Sequence, residues 1–194
     1  MYSKMRWLRR FLVAALLAVS PFVPAGAASL PSLFGGPIEL VDHDGRTVTD
    51  QDFAGRFMLV YFGYTHCPDI CPTDLAAMAA ALDDIGPLAA RLRPVFITLD
   101  PERDTAEVLR DYVHAFHPSL VGLTGSASQI AAAAKAYRVH RRVFRVEGGA
   151  KEDYFVDHSS LAYLMGPDGK FVTMFPHATP SARIAEILGK YLAG

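Results

Sequence analysis

The sequence predicts an α/β domain: a central mixed β-sheet flanked by helices and led by an N-terminal β-hairpin. Three features carry that prediction. Residues 57–62 are a continuous apolar run, too short for a helix and rich in strand formers, and 95–99 form a second such run broken only by Thr98; both read as strands buried on both faces. Each run is followed by a segment whose apolar residues recur every three or four positions, the alternation of a sheet with helices on its faces. Two Gly-containing turns, Asp44-Gly45 and Pro167-Asp168-Gly169, each join a pair of short β-prone runs.

The elements follow in order. Residues 38–41 and 47–49 flank Asp44-Gly45 and form the hairpin. After the 57–62 strand, Leu75, Met78, Leu82 and Ile85 mark a helix over 74–85, stopped by Gly86-Pro87. The 95–99 strand leads to a second helix over 105–116 through Val108, Leu109, Tyr112 and Val113. A short strand over 120–123 and an Ala-rich helix over 130–137 continue the pattern. Residues 139–146 and 153–156 alternate across Gly148-Gly149, residues 161–165 and 170–175 form a hairpin, and a helix over 184–192 closes the chain.

The chain of 194 residues has 19 Lys+Arg against 20 Asp+Glu, a net charge of −1 that gives no electrostatic case for nucleic acid. Two cysteines exclude a scaffold of many disulfides. The first 27 residues carry Lys4, Arg6, Arg9 and Arg10 and no acid, which leaves 15 basic against 20 acidic groups in the remainder. Residues 11–19 are uninterruptedly apolar, Ser20, Pro21 and Pro24 break the run, and Ala25-Gly26-Ala27 follows. That is the layout of a secretory signal peptide over 1–27. The rival is an uncleaved membrane anchor, since residues 11–28 approach the length that spans hydrocarbon. Residues 28–36 read as a linker and 37–194 as the domain.

Cys67-Pro68-Asp69-Ile70-Cys71-Pro72 falls just past a central strand and at the start of a helix. Ligands of open α/β sheets collect at the carboxyl ends of strands, and a helix N-terminus favours thiolate. Thiol-disulfide enzymes typically place two residues between their cysteines, whereas three stand here. Residues i and i+4 of a helical turn have Cβ atoms about 5–6 Å apart. This exceeds the roughly 3.8 Å of a relaxed disulfide and suits two sulfurs on one metal ion. Metal binding is therefore favoured, with redox cycling of Cys67 and Cys71 as the alternative. A peroxidase of the peroxiredoxin type is disfavoured, because Tyr64 and Val60 stand where that chemistry wants Thr or Ser and Pro.

Two thiolates alone can hold a cuprous ion, but most sites want a third ligand. His66 neighbours Cys67, yet adjacent residues of an extended segment point apart. His43, His114, His117 and His140 read as surface groups and His177 as a loop residue. His158, in Asp157-His158-Ser159-Ser160, lies where a strand gives way to a loop; taken alone it fits a structural histidine as well as a ligand. Asp69 and Asp157 are weak candidates for an added oxygen donor.

Four segments resemble the Sco/SenC copper-binding proteins of respiratory oxidase assembly. They are Tyr61-Phe62-Gly63-Tyr64-Thr65-His66-Cys67-Pro68-Asp69-Ile70-Cys71-Pro72-Thr73, Phe96-Ile97-Thr98-Leu99-Asp100-Pro101-Glu102-Arg103-Asp104-Thr105, Gly122-Leu123-Thr124-Gly125 and Val156-Asp157-His158-Ser159. The resemblance implies a thioredoxin-like fold and a metal site of Cys67, Cys71 and His158. It implies copper, as Cu(I), Cu(II) or both, a donor set that suits a soft ion, although zinc could take the same ligands. As partners it implies cytochrome c oxidase subunit II and other copper chaperones, with membrane contact only through an N-terminal anchor. With the signal-like start it places the domain in a bacterial periplasm, soluble or tethered to the inner membrane. Gly166 departs from the family, which commonly has an acidic residue there, and no ligand depends on it. Asp100 is expected to play a structural part in its loop.

Overall fold

The structure, a computed structural model, describes residues 33–194; the expected signal or anchor over 1–27 and the start of the linker lie outside them. Nine strands and four helices alternate in the described residues. They are β1 (Glu39–Asp42), β2 (Thr47–Thr49), β3 (Phe57–Gly63), α1 (Ile70–Asp84), β4 (Leu92–Thr98), α2 (Ala106–His114), β5 (Val121–Thr124), α3 (Ala127–Ala136), β6 (Arg141–Arg145), β7 (Tyr154–His158), β8 (Leu161–Met165), β9 (Phe171–Pro176) and α4 (Ser181–Leu192). The main sheet has the order β2-β1-β5-β4-β3-β8-β9, while β6 and β7 form a ribbon of their own.

The parallel block β5-β4-β3 is the centre. Its strands run in register, Val60 beside Val95 and Ile97 beside Leu123, and α1 and α2 make the crossovers that parallel neighbours require. Antiparallel β1 closes one side on β5 and antiparallel β8 closes the other on β3, so the sheet is mixed as expected. The β8–β9 ladder carries a register shift at Leu164/Met165.

The period-two alternation of the central strands sends their side chains to two cores. On one face Val60, Phe62, Ile97 and Leu123 pack against Ile130, Ala133 and Ala134 of α3. On the other, Leu59, Tyr61 and Phe96 meet Leu75, Met78 and Leu82 of α1, Leu109 and Val113 of α2, and Ile184, Leu188 and Leu192 of α4. Most of these are wholly buried, and each such large apolar side chain stabilises the fold by about 1.5–3 kcal/mol. Gly122 lets α2 sit directly on β5, since a Cβ there would stand 3.1 Å from both Leu109 and Val113.

Several boundaries differ from expectation for identifiable reasons. Helix α1 starts at Ile70, earlier than expected, because only Cys71 of its first turn is buried and the turn shows no apolar stripe. Helix α3 starts at Ala127 behind a capping box of Ser126 and Gln129, a Ser-x-x-Gln signal present in the sequence. Strand β4 runs back through Pro94. The β5 ladder begins only at Val95, so Pro94 occupies a stretch paired to β3 alone. Two 3-10 turns, Asp50–Phe53 and Gly86–Arg91, fill connections expected as plain loops. Among the described residues no helix is long and apolar enough to cross a membrane.

The β6–β7 ribbon lies at the carboxyl end of the parallel block, on the α3 side. Tyr154 and Val156 enter that core, while Phe144 and Phe155 on the opposite ribbon face stay exposed.

Candidate metal centre

Strand β3 ends at Gly63, and the chain then turns through Tyr64, Thr65 and His66 into Cys67, whose N–H donates to the Tyr64 carbonyl (3.1 Å). The buried carboxylate of Asp104 holds this turn. It accepts from Thr65 N–H (3.0 Å), from the Thr65 hydroxyl (2.6 Å) and from the Thr98 hydroxyl at the end of β4 (2.6 Å). Cys71 sits in the first turn of α1, wholly buried, and its N–H points at the Cys67 sulfur (3.4 Å). Gly63 makes room for it: a Cβ there would lie 2.8 Å from Cys71 Sγ and 2.9 Å from the Phe96 ring.

The imidazole arrives from 87 residues further along. His158 ends β7, and its Nε2 lies 3.4 Å from Cys71 Sγ. Its Nδ1 is 3.1 Å from the Ser159 carbonyl, which can only accept, so Nδ1 carries the proton and the Nε2 lone pair faces the sulfurs. The Tyr64 ring meets it edge-on at 6.0 Å. Cys67 Sγ, Cys71 Sγ and a ring nitrogen of His158 all lie within 4.8 Å of one another, and both cysteines are free thiols. Two thiolates and a neutral imidazole form a soft set able to hold Cu(I), or zinc with a water added.

The two thiols share a proton unequally. The Cys71 thiol donates to Cys67 and, with help from the N–H groups of Cys71 and Asp69, brings Cys67 down to about 4 against the opposing effect of burial. Cys71, tied to Cys67 in this way and buried, is pushed above the usual thiol range. Cys67 is thus thiolate throughout the neutral range. Because its folded-state pKa is depressed, the stability it contributes is complete above the unfolded thiol's pKa and fades as pH falls towards about 4. In metal-free protein, iodoacetamide is expected to modify Cys67 and spare Cys71. The rate should stay within about twofold from pH 6 to 8, whereas an ordinary thiol would accelerate roughly seventyfold. Peptide mapping by mass spectrometry checks this, and a rate that climbs with pH like a free thiol's would refute it.

The other sequence candidates go elsewhere. His66 is exposed beside the Thr65 hydroxyl. Asp157 alternates to the opposite face of β7 and lies 3.6 Å from His140; Asp69 is the exposed residue before α1. Asp100 is structural as expected, with its carboxylate taken by Arg103 and Tyr154. His43 corrects the surface reading: it is buried and accepts the Gly122 N–H through Nδ1 (2.9 Å), because the turn after β1 folds it back over β5. His177 is a loop residue, but its Nδ1 lies 2.9 Å from Asp74, which also takes the Tyr61 hydroxyl. Sequence reasoning passed over Asp104 and Gly63. Both sit in the quoted motifs, yet nothing local marks a carboxylate or a missing Cβ as buried.

Fold and site together define a class: a thioredoxin-like domain whose thiol pair, at the carboxyl end of the sheet, faces an imidazole carried by a separate ribbon. The chain belongs to the SCO1/SenC family, whose model matches residues 26–193. Protein sco1 of Schizosaccharomyces pombe is 44% identical over 158 residues, 81% of this chain and 60% of that protein. The mitochondrial SCO1 homolog of Homo sapiens is 42% identical over 165 residues, 82% of this chain and 53% of that protein. The crystal structure of Arabidopsis thaliana ScoI with copper bound superposes with a TM-score of 0.76 at 40% identity, over 82% of this chain and 98% of that one. The chain spans between about half and three-fifths of the length of these curated relatives. The expected bacterial periplasmic location is overturned: the human relative, like those of mouse and Arabidopsis, is named as mitochondrial.

Proposed function

We propose that this protein carries copper as cargo on Cys67, Cys71 and His158 and delivers it to the binuclear copper site of cytochrome c oxidase subunit II. The observation that carries the reading is the convergence of two sulfurs and one imidazole nitrogen within 4.8 Å. It is supported by the relatives solved with copper bound, from Arabidopsis, Bradyrhizobium japonicum and yeast. BsSco, 25% identical with a TM-score of 0.64, is described as a member of the Sco family of cytochrome c oxidase assembly proteins.

The two sulfurs would play different parts. Cys71 is buried and anchors the ion, whereas Cys67 is partly exposed on a turn and is the ligand an incoming thiol can replace first. Residues 1–27 would serve as a targeting or anchoring segment ahead of the domain of residues 37–194, and other copper chaperones would supply the ion. The test is transfer: purified protein should bind close to one copper per chain and lose it to the soluble copper-binding domain of subunit II. Failure to bind copper at near-equal stoichiometry refutes carriage, and retention of all copper in the presence of that domain refutes delivery.

A second reading, a thiol-disulfide reductant that keeps the oxidase cysteines reduced for metal loading, has its own support. Both cysteines are free, one is poised as thiolate, and BsSco is described as having a disulfide switch. A His158→Ala protein that binds copper more weakly but reduces a disulfide in the target as fast as before separates the two roles.

A further inference from the structure

The turn that follows β4, residues 99–104, carries two buried carboxylates that face opposite ways. Asp104 holds the cysteine loop, as described above. Asp100, 1% exposed, holds the ribbon: one carboxylate oxygen accepts the Tyr154 hydroxyl (2.7 Å), and the other accepts Arg103 Nε–H. Arg103 in turn donates through Nη1 to the carbonyls of Glu152 (3.2 Å) and Tyr154 (3.3 Å) and lies over the Tyr154 ring at 3.7 Å. Arg141, at the other strand, donates to the Leu99 carbonyl (2.6 Å). An isolated two-stranded ribbon is marginal in water, so these bonds, together with Tyr154 and Val156 in the core, fix where β6–β7 sits. His158 is the last residue of that ribbon, paired with Arg141. Arg103 also approaches the Tyr64 ring (5.8 Å), whose edge-on contact is with His158.

We propose that Asp100, Arg103 and Tyr154 are positioning residues for His158: one turn, by its two carboxylates, sets the distance between the sulfur half and the imidazole half of the site. Groups that orient a ligand without touching the ion commonly govern affinity by about 10- to 100-fold. The proposal rests on the metal-site reading above, and its test has an arm that needs no metal.

Tyr154→Phe removes one hydroxyl and leaves the Asp100–Arg103 pair intact, so it is preferred to Asp100→Asn, which would leave a largely buried guanidinium without its counter-charge. In an anaerobic Cu(II) titration against a competing chelator, Tyr154→Phe is expected to weaken binding about tenfold. In a His158→Ala background the same change should alter affinity by less than about twofold, because the ligand it positions is gone. Arg103→Lys, which keeps the charge but loses the fork, should behave the same way. Equal weakening in both backgrounds, or none in either, overturns the proposal. In the metal-free protein, the ring 15N signals of His158 should report a fixed Nδ1–H tautomer that becomes averaged in Tyr154→Phe; unchanged signals likewise overturn it. Should the wild type take neither Cu(I) nor Cu(II), the copper reading fails and the metal-free arm decides this proposal alone.

Discussion

Cys71→Ser is expected to reduce copper affinity at least about a hundredfold and to weaken and shift the sulfur-to-copper charge-transfer absorption of the Cu(II) form. Structural zinc sites of four ligands bind with roughly 10–16 kcal/mol, or about 3 kcal/mol for each ligand, and each 1.4 kcal/mol is tenfold in affinity. A serine hydroxyl is a hard, protonated donor at neutral pH and replaces none of that for a soft ion. Cys67→Ser should cost a similar factor, and the two losses should not add, because a single remaining sulfur with His158 leaves a two-ligand site of mixed softness. His158→Ala should cost less, since two thiolates can still hold Cu(I) in linear coordination. Competition titrations with a chelator, read with the visible spectrum, check all three. Unchanged affinity in Cys71→Ser would remove the sulfur from the site and, with it, copper carriage by this cluster.

Gly63→Ala is expected to be the most damaging single-methyl change near the centre. The added carbon would lie 2.8 Å from Cys71 Sγ, 2.9 Å from Phe96 and 3.2 Å from Tyr61, all of them wholly buried. None of these neighbours is the free end of an exposed chain, so the strain goes into the β3–α1 contact; overpacking of this kind costs about 1–3 kcal/mol. Denaturant unfolding should show a lower midpoint at an unchanged slope. The displaced Cys71 sulfur should also weaken copper binding, which a cavity-forming change elsewhere in the core, such as Ile184→Val, would not do. A fully stable Gly63→Ala with normal copper affinity would show that α1 can shift away from β3 without cost.

The parallel centre was legible because β3 and β4 are apolar on both faces and too short to be helices, and the hairpins because their turns carry glycine. The ribbon was legible as strands but not as a separate sheet, since alternation reports which faces differ and not which strand lies alongside. In the centre itself, Cys67 and Cys71 announced themselves by spacing. His158 did not, because its link to Cys71 spans 87 residues and exists only once β7 is placed; the family likeness supplied it. Asp104 and His43 were invisible for a related reason. A buried carboxylate and a buried imidazole look like surface groups until the hydroxyls and N–H groups that receive them come together from distant strands.

The order of the main sheet has a consequence for how other chains can approach. One edge is β2, only three residues long, and the other is β9, which is offset by the register shift beside β8 and ends at Pro176. Short, irregular and proline-ended borders are poor templates for strand addition. Neither border invites self-association by edge pairing, nor does either provide a long ladder for a visiting peptide. Recognition is thereby directed to the end of the sheet, where Cys67 opens to solvent and a partner must meet loops and side chains rather than borrow a strand.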